Sequence, residues 1–174
     1  MLVQRSSNTL NWKQCLLAVG ALAAGVMVYG LDRPTETTLL GRWIHGALET
    51  PSIQPSRLGL LGGIIPELVH PFGFALLTLA LFPHSAKKTR IGLCAFWLTV
   101  ELLFECGQGI GWPVAHFFMW AMPQHTASTM VANYFVFGTF DPLDILAICV
   151  GIVAAYAVAE KTAIPSLAIH QKGG

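Results

Sequence analysis

The chain has 174 residues, enough for one compact domain, and 54% of them are hydrophobic while only 11% are charged. Soluble domains carry about 25% charged residues, so this composition, with a mean hydropathy of +0.60, excludes an ordinary water-exposed surface. The formal net charge of +1 argues against nucleic-acid binding, which calls for a basic stripe.

Four apolar stretches follow in chain order. The first covers about residues 15–29 and follows Arg5 and Lys13. That flank also suits a signal peptide, but we read the stretch as a first span beginning near Leu10 and ending near residue 29. The second covers about 60–82, with Pro66 and Pro71 in its first half, the third 91–107 and the fourth about 143–159. Each approaches the roughly 20 residues needed to cross about 30 Å of hydrocarbon. The expected fold is therefore an all-α membrane protein, residues 1–174 forming a single domain with about four transmembrane helices. Cys15, Cys94, Cys106 and Cys149 lie in these runs without a CxxC pair. They read as small packing residues rather than disulfide partners or metal ligands.

Loop charges give an expected orientation. Arg5 and Lys13 precede the first span, Lys87, Lys88 and Arg90 fill the second loop, and Lys161 and Lys172 follow the fourth span. The third loop has no Lys or Arg, while the first balances Arg33, Arg42 and Arg57 against Asp32, Glu36 and Glu49. The positive-inside rule then places both termini and the second loop in the cytoplasm. The two outer loops are too long for simple turns and are expected to hold interfacial or re-entrant helices. In the first, Thr37 or Thr38 can cap a short helix over 39–48. In the second, 109–140 is nearly uncharged and carries Trp112, Phe117, Phe118, Trp120, Tyr134, Phe135 and Phe137. Trp and Tyr favour the headgroup level. A short fifth span is the alternative for this segment.

Ionisable groups inside spans are costly and usually face the bundle interior. The second span carries Glu67 and His70, and the third carries Glu101, Glu105 and Gln108 at i, i+4 and i+7, on one helix face. The fourth opens with Asp141 and Asp144, at the positive end of its helix dipole. A rise of about 1.5 Å per residue puts Glu101 roughly 15 Å and Glu105 roughly 21 Å from the inner face. His70 falls in the outer half of the second span, so all these groups gather on the outer side. Two readings stand. In one, Asp144 caps its helix and His70 with a glutamate forms a hydrogen-bonded pair that joins helices. In the other, the candidates His70, Glu101, Glu105, Gln108, Asp141 and Asp144 line a functional pocket. There the paired carboxylates share a proton or a cation, and His70 beside a carboxylate suits acid–base work. His45, His84, His116, His125 and His170 fall in loops or the tail. No paired-histidine spacing marks a metal site, and neither a metal nor another cofactor is expected.

Three pieces of this pattern resemble the VanZ-like family of small bacterial membrane proteins. His70-Pro71-Phe72-Gly73-Phe74 resembles the family's second helix, a His followed four residues later by an aromatic. Glu105-Cys106-Gly107-Gln108 resembles its Glu-x-x-Gln at the end of the third helix. Gly138 to Asp144, with Gly151 beyond, resembles the start of its fourth. The resemblance covers about residues 60–160 and leaves the first span, about 10–29, as an addition. Glu67 stands where the family often has Lys, Gly138-Thr139 where it usually has Arg, and Ile148 where it usually has Asn. The loop between the third and fourth spans is also longer than is usual there. The resemblance implies a multi-pass cell-envelope protein associated with low-level resistance to glycopeptide antibiotics, notably teicoplanin, and brings no defined reaction.

Three functions fit the residues. One is a VanZ-like protein whose outer pocket binds or modifies a lipid or lipid-linked molecule, with His70 as base or hydrogen-bond partner, Glu105 as acid or orienter and Asp144 positioning a headgroup or cation. Another is an accessory subunit of a larger membrane complex, packed through its spans and through Trp112, Phe117, Trp120 and Tyr134. A small transporter is the third, disfavoured because the chain shows no inverted repeat. Membrane lipids are the expected partners in every case.

Overall fold

The computed structural model describes residues 10–32, 58–121, 131–132, 134–136 and 138–163. Five helices are present among them: α1 (Trp12–Asp32), α2 (Leu60–Ala80), α3 (Lys87–Gly109), α4 (Gly111–Ala121) and α5 (Pro142–Thr162). Residues 131–132 and 134–136 are also helical. Four of the five, α1, α2, α3 and α5, are long and apolar enough to cross a membrane. The expected helix at 39–48, with His45, lies outside the described residues, as do His125 and His170.

Three spans outrun their apolar cores at one end or both. The third begins at Lys87 rather than near 91, and the fourth ends at Thr162 rather than 159. Lys is a good helix former, and its long stem lets the charge reach water from inside the first turn. The first runs on to Asp32, whose carboxylate Oδ1 accepts the Leu58 N–H at 2.7 Å. The second stops earlier than expected, at Ala80, where Leu81 and Phe82 turn back through N–H bonds to Thr78 and Leu79 carbonyls.

Helix ends are marked by local chemistry. Asn11 Oδ1 accepts the Gln14 N–H at 3.3 Å across the first turn of α1. Gly59 precedes α2 at φ 55°, a left-handed conformation that suits glycine. Asp141 caps α5 by accepting the Leu143 N–H at 2.9 Å, Pro142 occupies the first turn, and Lys161 lies in the last.

The four spans run up, down, up and down. At one end Asn11 N–H donates to the Ala80 carbonyl at 3.0 Å and Asn11 Nδ2 to the Thr162 carbonyl at 2.8 Å. Gln14 Nε2 donates to Thr162 Oγ1 at 2.9 Å, and Arg90 pairs with Glu160 at 2.8 Å. These bonds gather the start of α1, the end of α2, the start of α3 and the end of α5. All described Lys and Arg residues (Lys13, Lys87, Lys88, Arg90 and Lys161) belong to this basic end. The opposite end carries Asp32, Glu105, Asp141 and Asp144, and we term it the acidic end.

Helix α2 is central, with α1 and α5 on its flanks and α3 against α5 and α2. Contact is made by small residues. Gly25 receives Val69, Gly73 receives Leu22, and Gly151 lies against the Leu68 carbonyl and Pro71. Lipid tails are as apolar as leucine, so close backbone approach rather than water exclusion drives such seams. The continuous core of Ala18, Ala75, Leu76, Leu79, Cys94, Ile152, Ala155 and Ala159 fills the basic half. The rest of each span is apolar yet exposed, as at Leu16, Val26, Phe96, Leu103 and Val153, which suits a lipid solvent. All four cysteines are free. Cys15 and Cys94 are buried packing residues as expected, whereas Cys106 is exposed and packs in no core.

Candidate functional site

The acidic end is organised around Glu105, which is 3% exposed. Its Oε1 accepts the backbone N–H of Asp141 at 2.9 Å, so the last turn of α3 is tied to the cap of α5. Gln108, one turn further on, turns its Nε2 toward Glu105 Oε2 at 3.5 Å and donates it to the Tyr134 hydroxyl at 2.6 Å. The i, i+4, i+7 spacing thus delivers Glu105 and Gln108 to one place. The carboxylate also lies at the positive end of the α5 dipole, where Asp144 adds a second negative group in the first turn.

From its loop position Tyr134 reads as a partner-facing aromatic. The structure leaves Tyr134 39% exposed and also bonds it to the cluster. Burial raises its phenol from the ordinary value near 10 to about 12, and the nearby charges of Glu67, Glu105 and Glu101 push in the same direction against the Gln108 hydrogen bond. Tyr134 therefore keeps its proton throughout the physiological range. Because its oxygen accepts from Gln108, the hydroxyl hydrogen remains available to a further acceptor.

Three glycines let the chain return this closely. A Cβ on Gly107 would stand 2.5 Å from the Phe135 ring, and one on Gly111 would stand 2.5 Å from the Phe135 carbonyl oxygen. A Cβ on Gly138 would collide with the Gln108 amide and the Tyr134 carbonyl. The Gly138 N–H then donates to that Tyr134 carbonyl at 2.9 Å. Phe135 stacks between Phe104 of α3 and Phe118 of α4, at centroid distances of 5.6 and 5.9 Å. The glycines at 107 and 111, with Gly138, are the signal in the sequence that this loop folds back on α3.

His70 is placed elsewhere. It sits midway along α2 rather than in the half nearer the acidic end, because the helix runs from Leu60 to Ala80. It is exposed, and its ring tilts onto Phe74 at 4.6 Å. Phe74 stacks on Trp97 at 5.2 Å, and the Trp97 Nε1–H donates to Thr78 Oγ1 at 3.0 Å. His70 thus ends a mid-span aromatic ladder between α2 and α3. Glu101 lies one turn deeper than Glu105 and is half-buried, while Glu67 of α2 is also half-buried and is felt at Tyr134. Glu105, Gln108 and Asp141 are brought together directly, Glu101 and Glu67 border them, and Asp144 follows Asp141 in the same turn. Of the two loop histidines described, His84 is exposed in the basic-end turn and His116 is exposed on α4 against Trp112. Among the described residues no group of three or more His, Cys, Asp or Glu side chains is placed to hold a metal ion.

Four helices long and apolar enough to cross a membrane, with a polar cluster at one end, are the architecture expected of a multi-pass membrane protein. No protein-family model, no curated protein and no solved structure matches this chain.

Proposed function

We propose that this chain is a VanZ-like protein of the bacterial cell membrane whose acidic end lies at the outer leaflet and receives the headgroup of a lipid or lipid-linked molecule. The observation that carries this reading is the 2.9 Å bond from the Asp141 N–H to Glu105. It joins two of the three pieces of the resemblance, Glu105-x-x-Gln108 and Asp141-x-x-Asp144. The clustering of Lys13, Lys87, Lys88, Arg90 and Lys161 at the opposite end supports a cytoplasmic placement of that end and of both termini.

In this reading Glu105 is a positioning residue, since both its oxygens are engaged within the protein. Glu101, the Tyr134 hydroxyl and the end of α5 that carries Asp144 supply the polar lining for a headgroup. His70, halfway along α2, would border the acyl region rather than act as a base on the headgroup.

Purification in a mild detergent, followed by native mass spectrometry, tests the reading. The native chain is expected to retain a lipid that E101Q and D144N lose, with unchanged helicity in both variants. An identical lipid complement in all three proteins overturns it. Expression in a glycopeptide-sensitive bacterium tests the envelope role separately. A rise in teicoplanin tolerance that is lost in D144N is the expected result, and no change in tolerance removes the VanZ-like assignment.

A further inference from the structure

Helix α4 is apolar on nearly every side. Its 11 residues contain no Asp, Glu, Lys or Arg. Ala115 is buried, and Val114 and Phe118 are half-buried on the side that meets Phe135. The opposite arc, at 100° per residue, runs through Met119, Trp112, His116, Trp120 and Phe117, which are exposed or, at Trp112 and Trp120, 65% and 79% exposed. A helix lying on a membrane surface normally shows water a charged face, and α4 has none. A helix hydrophobic all round belongs in an apolar surrounding.

Its position supplies that surrounding. Helix α4 begins two residues after α3 ends, so it starts at the membrane boundary of a span. Leu103 and Phe104 near the end of α3, and Ile110 at the junction, are apolar and exposed as well. At about 1.5 Å per residue α4 is about 16 Å long, half of the hydrocarbon thickness. The sequence after it reads Pro123-Gln124-His125-Thr126, then Ser128-Thr129. Such hydrogen-bonding groups are expensive in mid-membrane, so the far end of α4 belongs at headgroup level, as its start does.

We propose that α4 lies along the membrane plane, sunk to the level where headgroups meet acyl chains, with its Trp112–His116–Trp120 arc turned into lipid. The occupant of this face is the bilayer itself. The helix neither crosses the membrane nor dives into it, and it flanks the Tyr134–Gln108–Glu105 cluster with a wall of aromatic rings at the depth of a lipid glycerol. This placement stands independently of the headgroup reading, because it rests on α4 and its continuity with α3.

Depth-dependent fluorescence quenching tests it. The full chain is reconstituted in vesicles of equal parts phosphatidylcholine and phosphatidylglycerol carrying a doxyl group either near the glycerol or deep in the chain. The contribution of each indole is the difference between the native chain and W112F or W120F, checked by circular dichroism and gel filtration for unchanged folding. A second pair, W112Y and W120Y, replaces any variant that fails this check. Both indoles are expected to be quenched best by the shallow probe, at depths agreeing within about one helical turn, or about 5 Å. A diving helix would separate them by about 12 Å over eight residues and overturns the proposal. Quenching by aqueous iodide but not by lipid probes overturns it in favour of an exposed helix. Protection from both overturns it in favour of a second copy or another protein on this face.

Discussion

Removing the Glu105 carboxylate should loosen the acidic end, and by a calculable amount. The group is almost fully buried and accepts the Asp141 N–H, while Gln108 Nε2 lies at its second oxygen. Glu105→Ala leaves the Asp141 N–H without its acceptor, a loss of about 1–3 kcal/mol for a buried donor. It also removes a negative charge from the N-terminal end of α5, worth about 0.3–1 kcal/mol. Together these predict a destabilisation of about 1–4 kcal/mol. Glu105→Gln keeps an oxygen for the Asp141 N–H but forfeits the charge and the long 3.5 Å contact from Gln108 Nε2, so it should cost about 1 kcal/mol. Thermal unfolding in detergent, at about 2–4 °C per kcal/mol for a chain of this size, should lower the midpoint by about 3–16 °C for E105A and by no more than about 4 °C for E105Q. Equal losses in the two variants would refute the hydrogen-bond account and leave only the charge. No loss in either would mean that Glu105 does not anchor α5.

Other expectations concern different parts of the bundle. Tyr134 should retain its proton until about pH 12, which the difference between the ultraviolet titrations of the native chain and Y134F measures. Since the folded state holds that proton more tightly than the unfolded chain, its stabilising effect is complete below the ordinary phenol value near 10 and is lost as pH rises through about 12. A Tyr134 midpoint near 10 would show that the phenol is solvated. Gly151→Ala should destabilise by about 1–3 kcal/mol, because its Cβ meets the Leu68 backbone carbonyl, which cannot yield as a side chain can. Gly20→Ala, with nothing within 4 Å of the new carbon, should be neutral or stabilising by up to about 1 kcal/mol on the same melting assay. Asn11→Ala removes the hydrogen bond to Thr162 and the Asn11 side-chain bond to Gln14. It should lower stability by about 1–2 kcal/mol and speed proteolysis near the start of α1, whereas an unchanged cleavage rate would show that α1 is held by its apolar seam alone.

Much of the fold is legible in the residue order because a membrane span is a one-dimensional property. Length and hydropathy suffice to mark α1, α2, α3 and α5, and the helix ends miss by only a few residues where Lys87 or Asp32 extends a helix past its apolar run. The spacing of Glu105 and Gln108 is enough, through the helical period alone, to put them on one face. Whether that face meets another helix is a different matter. His70 has the composition of a site residue, yet the rotation and depth of α2 place it on the Phe74–Trp97 ladder instead. Tyr134 looks like one more interfacial aromatic, yet it joins the cluster through Gln108.

The residue order by itself determined that the chain is helical, with four segments of membrane-crossing length and apolarity, and that its span acids lie away from the Lys87–Arg90 turn. Those outcomes depend on transfer free energy and helical period, which act within one segment at a time. Only the tertiary structure decided that Glu105 binds a backbone N–H of Asp141, 36 residues away. It also decided that glycines at 107, 111 and 138 admit the returning loop. Such contacts depend on how each helix is turned about its own axis, and that angle is set by close packing against neighbours, which no single segment encodes.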